Sequence, residues 1–117
     1  MRVKRGTVSN RKHKKVLDLT KGYRGSRSRL IRTAKAASLQ AGQYAFHGRK
    51  LKKRNFRSLW VTRIGEATKQ EGMSYSVFMH GMKTAQIELD RKMLNDLLVN
   101  DPETFKAIVS KIKSAQL

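Results

Sequence analysis

Cysteine is absent from the 117 residues, which removes disulfides, thiol catalysis and cysteine-based zinc sites together. Nothing in the chain therefore marks an oxidising compartment. Acids are scarce: 8 Asp and Glu stand against 27 Lys and Arg, a formal charge of +19. Proline occurs once, at Pro102, so long helices can run without interruption. No apolar run approaches the ~20 residues needed to span a bilayer. The charged start "MRVKRGTVSNRKHKK" leads into no apolar stretch of the kind a signal peptide carries, and the expected location is the cytoplasm. The histidines His13, His47 and His80 are scattered, with no metal-ligand spacing between them. Neither a phosphate-cradling glycine loop nor a nucleophile elbow is present. Enzymatic activity, a cofactor, a bound metal, a small-molecule substrate and a membrane partner are all unexpected on these grounds.

What the chain has in abundance is positive charge, and its placement says more than its total. Residues 1–57 hold 19 Lys and Arg against one acid, Asp18, whereas residues 58–117 hold 8 against 7. A segment of the first kind repels itself, so a polyanionic partner is expected. A charge run usually marks a solvated helix face, which requires confinement to one side and a balance of acids. In "GRKLKKRNFRSLW" at 48–60, Arg49, Lys50, Lys52, Lys53, Arg54 and Arg57 step through most of a turn, and no acid lies between Asp18 and Glu66. Phosphates suit such a helix, because Arg grips them in a fork and Lys as a point charge. Arg11, Lys12, Arg32 and Lys35 belong to the same excess. Tyr23, Tyr44 and Phe46 lie among the cations, where they could stack on unpaired bases.

The second half reads as helices. "NDPETFKAIVSKIK" offers Asp101 as N-cap and Pro102 at the first helical position, followed by Phe105, Ile108, Val109 and Ile112 on one stripe. "LDRKMLNDLLVN" begins at a cap, Asp90, and places Met93, Leu94, Leu97 and Leu98 on one side. "MSYSVFMHGMK" spaces Tyr75, Phe78, Met79 and Met82 likewise behind Ser74. Phe56, Leu59, Trp60, Ile64 and Ala67 supply a fourth stripe, ended by Gly72, and their register favours the core over RNA stacking for Phe56 and Trp60. Upstream, a sparser seam of Leu30, Ala34, Ala37, Ala41, Tyr44 and Ala45 continues the helix from a start near Ser26 or Ser28. Gly42 and Gly48 weaken it by roughly 1 kcal/mol each. If continuous, this rod has about 45 residues and a length of roughly 67 Å. A short helix ending at Gly22 precedes it, and residues 1–9 lack periodicity and read as an arm.

The stretches "RVKRG", "HKKVLDLTKGYRG", "AGQYAF", "RKLKKRNFRSLWVTRI", "GMSYSVFMHGMK", "IELDRKML" and "NDPETFKAIV", in this order and spacing, resemble the bacterial large-subunit ribosomal protein family numbered twenty. The resemblance implies a small helical domain with a basic extension threaded into large-subunit ribosomal RNA, acting early in subunit assembly beside neighbouring ribosomal proteins. The matching extension residues are Arg2, Lys4, Arg5, His13, Lys14, Lys15, Lys21, Tyr23, Arg24, Arg27, Arg29, Arg49, Lys52, Lys53, Arg54 and Arg57. Ser74, Tyr75, Ser76, Lys83, Arg91 and Lys92 match the family's contact with an RNA junction. Some members also repress their own messenger RNA, which adds a further partner. The chain departs from the family at "FHGRK" (46–50), where a more charged run is usual and Gly48 could bend the rod. His80 and Thr84 replace the common Asn and Lys.

The expected architecture is all-α: a small helical C-terminal domain continuous with a long basic helix and an extended N-terminal arm. Residues 1–57 form the RNA-threading extension and residues 58–117 the globular domain. A DNA-compacting nucleoid-type protein is the alternative, since phosphate contacts serve both nucleic acids. A membrane-active cationic helix ranks below it, because residues 26–57 carry few large apolar side chains.

Overall fold

The computed structural model describes residues 2–115, so the first residue of the expected arm and the last two of the expected C-terminal domain lie outside the described residues. The described chain is all-α, with no strand: α1 (Gly6–Leu19), a short 3-10 turn (Gly25–Ser28), α2 (Ile31–Gln70), α3 (Tyr75–Thr84), α4 (Arg91–Asn100) and α5 (Pro102–Ala115).

Helix α1 begins inside the stretch expected to be an arm, which shortens the arm to the residues before Gly6. A helix with most side chains in solvent shows no apolar period. Once one turn has formed, each added residue gains one backbone bond for one residue fixed, so a helix can extend without an apolar stripe. It stops before Gly22, whose φ of 86° needs a residue without a Cβ. Helix α2 is 40 residues long and runs unbroken through Gly42 and Gly48, so Gly48 does not break it. It starts later than the serines suggested, because Gly25–Ser28 form their own turn. There the Ser26 carbonyl, rather than a serine side chain, holds the junction, accepting from Leu30 N at 2.8 Å and from the Thr33 hydroxyl at 2.9 Å.

The chain divides into two compact units, Met1–Lys50 and Leu51–Leu117, and the division falls within α2. Among the described residues of the first unit, only Thr20 and Ala34 are fully buried. The upstream seam fades: Ala37 and Ala41 are half-buried, while Leu30, Tyr44 and Ala45 are exposed.

The second unit carries the core. Ile64, Met73, Phe78, Met82, Leu94, Phe105, Val109 and Ile112 are buried together, and Trp60, Ala67, Tyr75, Met79, Leu98 and Ile108 pack partly against them. The Phe78 and Phe105 rings lie 5.7 Å apart. Burial of each large side chain contributes about 1.5–3 kcal/mol. The caps that hold the short helices fall where the sequence placed them. Ser74 accepts from Val77 N, Asp90 from Met93 N and Asp101 from Thr104 N, and Gly72 ends α2 at a φ of 77°.

Three core assignments need correction. Phe56 is 45 % exposed, Leu59 41 % and Met93 52 %. All three keep the helical register of their stripes, but register says only which way a side chain points. The core cluster begins at Ile64, with Trp60 at its margin. Phe56 lies a full turn further up α2, outside the core cluster, and its ring is only partly covered.

Candidate nucleic-acid interface

Every Lys and Arg between residues 2 and 57 is exposed. Among the described residues the ion pairs are Lys69–Glu66 at 2.9 Å and Lys113–Glu71 at 3.8 Å, both downstream of residue 57. The dense charge of the basic segment is thus left without internal carboxylate partners. Arg2, Lys4 and Arg5 precede α1, while Arg11, Lys12, His13, Lys14 and Lys15 lie on it. Lys21, Tyr23, Arg24, Arg27 and Arg29 occupy the connection to α2, and Arg32, Lys35 and Arg49 through Arg57 lie on α2 itself. His47 and His80 are exposed like His13. The described residues contain no group of three or more His, Cys, Asp or Glu placed to hold a metal ion, and no helix long and apolar enough to cross a membrane.

Aromatic side chains sit open among these cations. The Lys50 ammonium lies 4.5 Å from the centre of the Phe46 ring, and His47 meets the same ring edge-on at 5.7 Å. Tyr23, Arg27, Gln40 and Tyr44 line an open hollow floored by Ala36, Ala37 and Ala41, where Gln40 Nε2 donates to the Tyr44 hydroxyl at 2.9 Å. Small alanines leave the hollow room, and the two phenols flank it.

In the second unit, Lys53, Arg54 and Arg57 of α2 meet Lys92 of α4 around a groove based on Phe56 and Trp60. The two rings are 6.3 Å apart and tilted by 31°. The sequence reading assigned these four cations to two separate contacts, and the fold brings them together. It missed the exposed Phe56, although the cations flanking it were a signal that its environment is not core. Arg63 was also passed over; its guanidinium donates to Asn95 Oδ1 at 3.3 Å.

The residues expected at an RNA junction are partly gathered. Ser74 and Ser76 hydroxyls are 3.2 Å apart, and Arg91 Nε donates to the Tyr75 hydroxyl at 2.8 Å. Lys83 lies in the last turn of α3, beside Gln86 and Glu88. The Thr104 hydroxyl, with backbone amides of the same turn, holds the Asp101 carboxyl below its ordinary range.

Comparison with known proteins fits this surface. Residues 2–108 match the family described as Ribosomal protein L20. Proteins called large ribosomal subunit protein bL20 are similar over nearly their whole length. The protein from Cupriavidus taiwanensis is 54 % identical over 113 residues, covering 97 % of this chain and 96 % of that one. The one from Herminiimonas arsenicoxydans is 56 % identical over 113 residues, covering 97 % and 95 %. The one from Erythrobacter litoralis is 52 % identical over 114 residues, covering 97 % and 96 %.

Proposed function

The chain belongs to the ribosomal protein L20 family, and on that premise we propose that it is a structural, non-enzymatic protein of the large ribosomal subunit. It binds ribosomal RNA in the cytoplasm, beside neighbouring ribosomal proteins, and promotes early assembly of the subunit. The observation that carries this reading is the exposed charge of residues 2–57, which makes no ion pair within the described chain.

Each cation that meets a phosphate displaces a condensed counterion, and that release drives binding. The contacts fix position and orientation but carry no sequence code. A helix charged on most of its faces, as α2 is around Arg49–Arg57, neutralises phosphates on several sides at once and lets RNA segments pack that would otherwise repel. In this reading residues 1–57 act as the threading extension, its last residues belonging to the compact second unit that begins at Leu51, and residues 58–117 act as the globular domain. Within the latter, Ser74, Tyr75, Ser76, Lys83, Arg91 and Lys92 take the contact with an RNA junction. The same surface would bind a matching fold in the chain's own messenger RNA, making the protein a repressor of its own synthesis.

Binding of the full chain to large-subunit ribosomal RNA fragments and to mixed-sequence duplex DNA, compared at one salt concentration, tests the reading. Preference for the ribosomal fragments is expected. Equal affinity for both would overturn it in favour of a DNA-compacting protein.

A further inference from the structure

We infer that the groove at Phe56 and Trp60 is a stacking site for an unpaired RNA nucleotide, with the base on the two rings and its phosphates on the surrounding cations. The inference deepens the ribosomal RNA reading and rests on it.

Three properties of the groove point to that occupant. Its rings are open: Phe56 is 45 % exposed, and Trp60 is half-buried, packing partly on the core while still lining the groove. The rings follow one another along α2 at 6.3 Å with a 31° tilt, which puts two neighbouring aromatic surfaces in one groove. The rim is cationic, with Lys53, Arg54 and Arg57 on one helix and Lys92 on another, and no carboxylate lines it. A ligand that satisfies both features needs a flat apolar face and negative charge. An apolar protein side chain would cover the rings but leave four cations to be dehydrated without partners. A regular duplex would meet the cations but keep its bases stacked inside. An unpaired nucleotide does both, since every base has a face that stacks on an aromatic ring.

The neighbouring surface gives the nucleotide a direction. The same two rings and Lys92 also border a second hollow, whose other lining residues include Asp90 and Asp96. Asp90 is engaged in capping α4 through Met93 N, and Asp96 accepts from Asn100 Nδ2, so both carboxylates are fixed there. Phosphates are repelled at that end. The RNA backbone therefore runs along the Lys53–Arg57 side.

Trp60 is the only tryptophan, so its fluorescence reads this groove and not the rest of the basic segment. The full chain would be titrated with a short single-stranded oligoadenylate, with inorganic polyphosphate and with a blunt RNA duplex. Oligoadenylate is expected to quench Trp60 strongly, while the other two bind without comparable quenching. Phe56→Leu should weaken the affinity read from quenching by roughly 5- to 100-fold, and Phe56→Tyr should restore it. Thermal unfolding should be unchanged in both variants, since Phe56 lies outside the core. Equal quenching by polyphosphate, or an unchanged affinity in Phe56→Leu, would overturn the proposal. So would a photoreactive residue at position 56 that crosslinks only to protein in purified large subunits. If oligoadenylate fails to quench while ribosomal RNA fragments still bind, the groove proposal falls and the ribosomal RNA reading stands.

Discussion

Arg91 on α4 donates through Nε to the Tyr75 hydroxyl on α3 at 2.8 Å, and the Tyr75 ring packs partly on the core. A half-buried arginine is thereby anchored to a side chain that packs on the core. The bond uses Nε and leaves the terminal nitrogens to form a two-pronged grip on phosphate.

Tyr75→Phe keeps the ring and removes the acceptor, so it should cost about 0.5–1.5 kcal/mol in urea unfolding. It should also weaken binding of a ribosomal RNA junction fragment, because the guanidinium is no longer held in place before RNA arrives. Arg91→Lys keeps the charge but not the fork, and should impair the same binding. Unchanged junction affinity in both variants would show that the pair is only structural.

Replacing Lys52, Lys53, Arg54 and Arg57 together by Gln removes four charges and keeps good helix formers. If each residue meets a phosphate, the slope of log affinity against log salt should fall by roughly 0.7–0.9 per contact, about three units in all. In cells, sucrose gradients should show incomplete large subunits accumulating. An unchanged slope with normal gradients would make these residues a solvated face.

Phe78 is wholly buried and pairs with Phe105, so Phe78→Ala should cost about 3–5 kcal/mol. That is enough to unfold so small a helical unit. Trp60 is only half-buried, and Trp60→Ala should cost clearly less. Denaturation midpoints of the two variants in the full chain decide the order.

Gln86 is the only non-glycine residue with positive φ among the described residues, at 53°. It closes α3, with its N–H donating to the Lys83 carbonyl at 3.1 Å. A left-handed conformation costs an ordinary residue about 1–2 kcal/mol, and glycine's extra freedom in the unfolded chain costs roughly 0.5–1. Gln86→Gly should therefore raise stability modestly, by up to about 1.5 kcal/mol. A lower melting temperature would mean the Gln86 side chain contributes contacts that outweigh its backbone strain.

The elements most legible in the sequence were those specified by neighbouring residues. Ser74, Asp90 and Asp101 announce helix starts because a cap needs only an oxygen three residues before an N–H, and Gly72 announces a stop through its own backbone. The buried stripes of α3 and α5 were equally plain. What could not be read was where neighbouring helices end. Phe56, Leu59 and Met93 keep perfect period yet are exposed, since period fixes direction and not cover. The N-terminal turn of α1 was missed for the opposite reason: a helix immersed in solvent leaves no pattern. The candidate interface was visible as charge imbalance, which survives any folding. The meeting of Lys92 with Lys53, Arg54 and Arg57 depends on α4 reaching α2, and no spacing along the chain records it.

The core of the second unit depends on α5, which supplies Phe105, Val109 and Ile112. Chains are made from the N-terminus at about 5–20 residues per second, so the basic segment leaves the exit tunnel seconds before that core can close. During that interval the nascent protein is a polycation tethered to a machine made largely of RNA. Any selectivity that rests on the folded α3 and α4 surface arrives last, and the earliest contacts of each new chain are indiscriminate.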